Sequence, residues 1–214
     1  MPDADERDDT RTRLARALQR QLATISLDRV TVSCLAREAG VTRQAFYYHF
    51  ADVADLAVWT FQTEVADHIL AHRTRAQWAD GFLQLMSYMQ DHADQSHAVL
   101  EALSHHELEG FFYRQLHVMM TSIVDEVLDG AGPIRRGDPH LTPHDRDFVI
   151  DHYTLTVLGH FMHWLAGDMR ADPVDLVSDM EVVMDGAVSE SIRRLTLRTG
   201  ATPACRARAD ARHM

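Results

Sequence analysis

The segment TVSCLAREAGVTRQAFYYHF, residues 31–50, contains two short helix patterns separated by a glycine. Thr31 is suited to cap the first helix, and Gly40 is suited to end it, because glycine readily adopts the left-handed conformation that follows many helices. Thr42 is suited to cap the second helix, which runs through RQAFYYHF. Two short helices joined by a tight turn with glycine are typical of a helix-turn-helix, so this segment predicts one.

The remainder of the chain predicts helices and no strands. Residues 10–24 carry apolar side chains at three- and four-residue spacing with arginines between them, which is typical of an amphipathic helix. Five long helices and a short one follow after the helix-turn-helix, over residues 52–73, 75–93, 96–104, 107–130, 144–168 and 174–197. The glycine- and proline-rich stretch 130–143 is the clearest loop. The fold class is therefore expected to be all-α.

We expect four segments along the chain. They are an acidic disordered lead, a helix-turn-helix domain, a larger helical domain and a flexible tail, over residues 1–9, 10–55, 56–198 and 199–214. No apolar run reaches the ~20 residues that a membrane-spanning helix needs, and the acidic N-terminus is unlike a signal peptide. The two cysteines, Cys34 and Cys205, fit a reducing compartment better than a disulfide framework. A cytoplasmic protein without membrane contact is expected.

Charge is distributed unevenly along the chain. The net charge of −11 argues against a protein that coats nucleic acid with its whole surface. Residues 10–50, however, carry seven arginines against Asp28 and Glu38, whereas residues 51–200 carry ten arginines against 24 acidic residues. This contrast is either chance scatter of surface charge or a local anion-binding module on an acidic body.

The stretch RVTVSCLAREAGVTRQAFYYHFADVADL, residues 29–56, closely resembles the DNA-binding domain of TetR-family transcriptional regulators. Apolar residues stand where the two helices meet, Gly40 stands at the turn, and FYYHF matches the aromatic end of the family's recognition helix. More loosely, RQAFYYHF and GHFMHWLAGDMRADP, residues 159–173, are similar to the subgroup that contains the dihydroxyacetone kinase operon regulator DhaS. The resemblance implies double-stranded DNA as the partner.

The resemblance implies base or groove contacts from Arg43, Gln44 and Tyr48. It also implies contacts to DNA phosphates from five further residues, Thr31, Ser33, Thr42, Tyr47 and His49. Arginine and glutamine pair bidentately with guanine and adenine edges, and a helix start suits a phosphate. Phe46 and Phe50 are assigned to packing. The full set predicted to contact DNA is Thr31, Ser33, Arg37, Thr42, Arg43, Gln44, Tyr47, Tyr48 and His49.

One position departs from the family pattern. TetR-family proteins usually place a lysine three residues after the aromatic end, where it meets a phosphate, but here that residue is Val53. The surrounding ADVAD, residues 51–55, supplies two acids instead. Losing a phosphate contact should weaken binding and flatten its salt dependence. We interpret the arginines at 11, 13 and 16 as compensating for the missing lysine.

For the larger domain, the resemblance implies ligand binding and dimerisation. The last two long helices are expected to pair with their copies as a four-helix bundle, and the small residues Gly159, Ala166, Gly186 and Ala187 would allow close approach. A dimer would present two recognition helices ~34–36 Å apart and read a near-palindromic operator.

An inducer pocket is expected among the middle helices, although such apolar side chains are also ordinary core. Its predicted lining is Trp78, Phe82, Met86, Met89, Phe112, Met120, Tyr153, His160, Phe161 and Trp164. A bound small molecule would favour a dimer geometry that no longer fits DNA, and its effect is limited by its differential affinity for the two states.

The chain contains fourteen histidines, and two pairs have the spacing of metal ligands. His68 and His72 are four residues apart, and His160 and His163 are three apart. The alternatives are histidines without a ligand, a polar contact to an inducer, or a response to pH. We expect neither a metal nor a cofactor.

The function predicted from the sequence is a DNA-binding transcriptional regulator, a repressor released by a small-molecule inducer. The alternative is a TetR-like regulator that a partner protein controls and that has no small-molecule pocket. An enzyme is not expected, because the chain contains no nucleophile elbow, P-loop, dinucleotide fingerprint or HExxH motif.

Overall fold

The computed structural model of the chain describes residues 4–130 and 140–200. These residues form helices and turns without a strand, so the all-α fold is confirmed. A short 3-10 helix, Leu27–Arg29, follows the first helix. The α-helices are α1 Ala4–Leu22, α2 Val32–Ala39, α3 Arg43–His49, α4 Val53–Ala71, α5 Trp78–Asp91, α6 Ala93–Ala102, α7 His105–Gly130, α8 Pro143–Ala166, α9 Pro173–Met184 and α10 Ala187–Gly200. None of these helices is long and apolar enough to cross a membrane.

The chain divides into two compact units, and the division differs from the boundary predicted at residue 55. One unit comprises residues 1–68 and 85–111, and the other comprises residues 69–84 and 112–214. Most of α4 belongs to the first unit because it packs with the helix-turn-helix and is tied to α5. The Tyr88 hydroxyl on α5, for example, donates a 2.6 Å hydrogen bond to Glu64 on α4.

The N-terminal segment differs from the predicted disordered lead. Helix α1 begins at Ala4, so residues 4–9 are helical. The predicted tail, residues 199–214, overlaps the end of α10 at Gly200, and residues 201–214 lie outside the described residues. Most of the predicted loop, residues 131–139, also lies outside them.

The helix predicted over residues 174–197 is interrupted. Helix α9 ends at Met184, α10 begins at Ala187, and Gly186 between them has a left-handed φ of 68°. An Asp-Gly pair favours a turn because glycine takes this conformation without steric cost. Gly186 is therefore a helix end and does not lie on a helix face, contrary to its predicted role in close helix packing.

Candidate nucleic-acid interface

Helices α2 and α3 form the predicted helix-turn-helix, and each is capped by threonine. The Thr31 hydroxyl accepts a 3.3 Å hydrogen bond from the Cys34 N–H at the start of α2. The Thr42 hydroxyl accepts a 3.0 Å bond from the Ala45 N–H at the start of α3. Gly40 ends α2 with a φ of 66°, as the sequence predicted. A hydroxyl that accepts one bond can still donate its own proton, so both caps are chemically able to bind a phosphate.

Aromatic packing holds α3 against the rest of the first unit. Phe46 is fully buried and Phe50 nearly so, which confirms their assignment to packing. The ring of Phe50 lies 5.9 Å from that of Phe46 and 5.7 Å from that of Trp59 on α4. The Arg11 guanidinium lies over the Trp59 ring at 6.0 Å, within the range of a cation–π contact. These contacts, which run from α3 through Trp59 on α4 to Arg11 on α1, orient the recognition helix.

The outward face of α3 carries two pairs of side chains at four-residue spacing. Arg43 pairs with Tyr47, and Gln44 pairs with Tyr48, so all four lie on one side of the helix. Arg43 and Gln44 are exposed, and Tyr47 and Tyr48 are 51% and 62% exposed. Guanidinium and carboxamide groups read base edges, while phenol hydroxyls reach phosphates. The structure thus brings the predicted base-contacting residues together on one accessible helix face.

The remaining predicted DNA contacts lie at the edges of this face. Ser33 and Arg37 are exposed on α2. The Arg37 guanidinium lies 3.7 Å from the Cys34 sulfur. His49 is half-buried at the end of α3, and its ring meets that of Tyr48 edge-on at 5.0 Å. An imidazole in this position is a weaker candidate for a phosphate contact than the exposed tyrosines.

Two of the three arginines interpreted as compensating for the missing lysine have structural partners instead. Arg11 stacks on Trp59, and Arg13 donates hydrogen bonds to the carbonyls of Ala39 and Gly40. Arg16 is exposed on α1. The compensating role proposed from the sequence is therefore retained for Arg16 alone.

The two acids of the ADVAD segment cap α4. The Asp52 carboxylate accepts a 2.9 Å bond from the Asp55 N–H, and the Asp55 carboxylate accepts a 2.9 Å bond from the Ala51 N–H. This is close to a capping box, in which two side chains satisfy each other's backbone donors at a helix start. The spacing of the two aspartates signals this arrangement, but sequence reasoning had considered only their charge.

Nine of the ten side chains predicted to line an inducer pocket are buried, and several pack directly on one another. In the second unit, the ring centroid of Phe161 lies 5.5 Å from Phe82, 4.5 Å from Phe112 and 5.9 Å from Trp164. The hydroxyl of Tyr153 lies 2.8 Å from that of Ser191, within hydrogen-bond distance. This cluster forms the packed core of the second unit.

Other members of the predicted lining are not part of this cluster. His160 is exposed on α8, contrary to its predicted place in a pocket, because its helix turns this side outward. Met86 and Met89 are fully buried in the first unit, whereas the aromatic cluster belongs to the second. The ten residues are therefore divided between the two units.

Trp78 and Met120 do line a small cavity of about 90 Å³ in the second unit. It adjoins a groove of about 530 Å³ between α7 and α10, since Arg75 and Ser189 line both. The groove has apolar walls that include Val127, Ile192 and Leu197. A groove of this volume lies within the usual range for small-molecule sites. Sequence reasoning missed it because its residues come from helices far apart in the chain.

In the described part of the chain, no three His, Cys, Asp or Glu side chains are grouped in a way that could hold a metal ion. His160 and His163 are both exposed on α8. His72 packs against Gly81, where a Cβ would lie 2.4 Å from that of the histidine. The position of His72 is therefore explained by helix packing.

Two sequence families match this chain in the regions just described. Residues 16–58 match the tetR family of bacterial regulatory proteins, and residues 76–186, more than half of the chain, match a transcriptional regulator C-terminal region. No curated protein matches the chain. Among solved structures, the chain is similar to the dihydroxyacetone kinase operon activator DhaS, at 15% sequence identity and a TM-score of 0.55.

The similarity to DhaS covers 86% of this chain and 96% of the other, and at this identity it shows a shared fold. The first match contains the capped helix-turn-helix, and the second contains α5 to α9. Members of this family are generally regulators without enzymatic activity. The chain therefore belongs to the TetR family of bacterial regulatory proteins and is a DNA-binding transcriptional regulator.

Proposed function

We propose that this regulator is a repressor that binds a near-palindromic operator as a homodimer and that a small-molecule inducer releases it. One observation carries the DNA-reading part of the proposal. Helix α3 is capped and anchored by buried aromatics, and Arg43, Gln44, Tyr47 and Tyr48 are exposed on its outer side. Such a helix can enter a major groove with its long polar side chains directed at base edges. It would act in the cytoplasm, where the chromosome lies.

The homodimer is supported by apolar side chains that the single chain leaves exposed. On α8, Phe148 and Leu155 are 57% and 55% exposed, and on α9 Val182 and Val183 are 75% and 76% exposed. A Cβ at Gly159, one turn beyond Leu155, would meet no described heavy atom within 4 Å, so a second helix could approach closely there. Exposed apolar patches commonly mark protein interfaces. Sedimentation in solution measures the proposed dimer directly.

The direct test of the proposal uses DNA from upstream of the protein's own gene. We expect a gel shift at low salt that a duplex of unrelated sequence does not compete away. We also expect transcription from that promoter to rise when the gene is deleted. Loss of transcription on deletion would instead indicate an activator, which is the role that DhaS has in its name. No shift at low salt would contradict operator binding near the gene.

The inducer is proposed to occupy the groove between α7 and α10. The groove offers apolar walls, and its lining also includes the charged residues Arg75, Glu126 and Arg193. The packed aromatic core of the second unit supports the alternative, in which a partner protein controls the regulator. The two alternatives differ in whether the groove must be open for regulation.

Filling the groove separates the two alternatives. Val127→Trp should abolish induction in cells but leave operator affinity within about twofold, since the groove lies outside the DNA-binding unit. The matched control is Val118→Trp, which places the same side chain on an exposed position of α7 that does not line the groove. A promoter reporter measures induction. Normal induction of Val127→Trp would favour control by a partner protein.

Restoring the family's lysine should strengthen DNA binding. Val53→Lys adds one phosphate-binding charge to each protomer at the first position of α4, and we expect a gain of about threefold to tenfold at low salt. The log–log salt slope should steepen by about one for each protomer. Val53→Gln is the uncharged control. Equal or weaker binding by Val53→Lys, measured by fluorescence anisotropy, would contradict the interpretation of this position.

A further inference from the structure

The turn between α2 and α3 determines the direction of the recognition helix. The N–H groups of Gly40 and Val41 bond to the carbonyls of Arg37 and Ala36, at 3.2 Å and 2.9 Å. This pattern closes the end of α2 around the left-handed Gly40. The last carbonyls of a helix lie outside its own hydrogen bonding and need other partners. Two such groups at this turn are the carbonyls of Ala39, the last residue of α2, and of the capping Gly40.

Arg13 on α1 supplies those partners. Its Nη2 atom donates to the Ala39 carbonyl and, at 3.1 Å, to the Gly40 carbonyl. The guanidinium is seated so closely that a Cβ added at Gly40 would lie 2.9 Å from Nη2. A positive charge at the C-terminal end of α2 is also favourable for the helix dipole. The two Nη2 protons are directed at the protein backbone, so they are not available to a phosphate.

A second contact holds α1 and α2 in the same arrangement. Glu38 accepts a 2.6 Å bond from Arg20 Nε and a 3.0 Å bond from Gln21 Nε2. The hydrogen bonds from Gln21 and Arg20 lower the pKa of the Glu38 carboxyl, so Glu38 is charged at neutral pH. Leu14 and Leu18, on the same helix as Arg13, are fully buried. Helix α1 is therefore a fixed support from which Arg13 reaches the turn.

We propose that Arg13 is a positioning residue for DNA recognition: it fixes the turn between α2 and α3, so that α3 presents Arg43 and Gln44 to the bases in one orientation. It does so through the protein backbone and does not contact the DNA phosphates. Part of the basic charge in the first fifth of the chain therefore stabilises the turn that orients the recognition helix. This role differs from the phosphate contact that the arginine-rich sequence of α1 suggests.

A positioning residue and a phosphate contact predict different binding data. A lost phosphate contact weakens specific and non-specific binding alike and lowers the salt slope by about one for each protomer. A displaced recognition helix weakens specific binding, whereas non-specific binding and the salt slope remain. Lysine also distinguishes the two roles, because it retains a charge for a phosphate, whereas its shorter side chain does not extend to the position that Arg13 Nη2 occupies at the turn.

The test compares wild-type protein with Arg13→Ala and Arg13→Lys in the full chain. The control is Arg29→Lys, at an exposed position between α1 and α2 that is outside the predicted DNA-contacting set. The probes are a duplex carrying the sequence that wild-type protein enriches from random DNA, and a shuffled duplex of equal length. Affinity for both is measured by anisotropy at several salt concentrations. Circular dichroism melting establishes that each variant is folded at the assay temperature. Failure of wild-type protein to enrich any sequence would be a failure of operator recognition itself, separate from the role of Arg13.

We expect both Arg13 variants to lose about tenfold in affinity for the enriched sequence at every salt concentration, because charge-assisted hydrogen bonds at the turn are lost. Their affinity for the shuffled duplex and their salt slope should match those of the wild type, and Arg29→Lys should match the wild type on both duplexes at every salt concentration. Recovery of wild-type specific affinity by Arg13→Lys would overturn the proposal. Equal losses on both duplexes with a lower salt slope in Arg13→Ala would also overturn it. If Arg13→Ala does not fold, Arg13→Lys carries the test.

Discussion

Arg43→Ala should lower the affinity for the operator by about 2–6 kcal/mol. A bidentate contact between arginine and guanine contributes about 1–3 kcal/mol of discrimination, and a symmetric dimer loses two of them. Arg43 lies in the first turn of α3 and is exposed, so its removal should leave the fold unchanged. Fluorescence anisotropy with the enriched operator duplex at fixed salt measures the loss.

Arg29→Ala is the matched control for this prediction. Arg29 is also exposed and lies in the short 3-10 helix between α1 and α2, outside the predicted DNA-contacting set. We expect Arg29→Ala to bind within about threefold of the wild type, since it removes a charge but no base contact. If the two variants lose the same affinity, Arg43 contributes only non-specific electrostatic attraction to DNA. The assignment of α3 as the recognition helix then loses its main support.

Phe46→Ala should lower the free energy of unfolding by about 3–5 kcal/mol, the range measured for fully buried phenylalanines. The ring is completely buried and packs against Phe50, so its removal leaves a cavity beneath the recognition helix. Urea denaturation measures the loss. Operator binding should be absent under conditions in which the variant is unfolded. It should recover partly under conditions in which the variant is folded.

Tyr47→Ala provides the comparison, because it removes the neighbouring aromatic ring from the exposed side of the same helix. Tyr47 is 51% exposed, so we expect its loss to change the unfolding free energy by less than about 1 kcal/mol. Its effect should appear in DNA affinity instead. A larger destabilisation from Tyr47→Ala than from Phe46→Ala would show that the inner and outer faces of α3 are misassigned.

The helix-turn-helix could be predicted in detail because its signals are local. Thr31 and Thr42 cap the helices that follow them, and Gly40 has the left-handed conformation that the turn requires. Within this seven-residue helix, helical periodicity alone places Phe46 on the buried face and Arg43 and Gln44 on the exposed face. The rest of the fold need not be known for this assignment. Each of these inferences depends on neighbours within a few residues.

The features that could not be predicted depend on contacts between distant segments. The sequence of α1 places an arginine at position 13, but only the folded arrangement brings it to the carbonyls of Ala39 and Gly40. The methionines and aromatic residues predicted to line a pocket are of types that occur both in packed cores and in ligand cavities. Only the packing of the folded chain shows which of the two they form. His160 is predicted from the sequence to line a pocket, yet it is exposed on α8 in the single chain. The groove between α7 and α10 arises from two helices that are far apart in the chain.

The central claim is that α3 reads DNA bases in a symmetric pair of half-sites, and sequence selection from a random DNA pool tests it most directly. The account predicts that wild-type protein enriches a near-palindrome with half-sites about 10 base pairs apart, centre to centre. It also predicts that Arg43→Ala loses its preference at one symmetric pair of positions while the remaining positions persist. Recovery of the same full motif by Arg43→Ala, or no enrichment by the wild-type protein at low salt, would contradict the account.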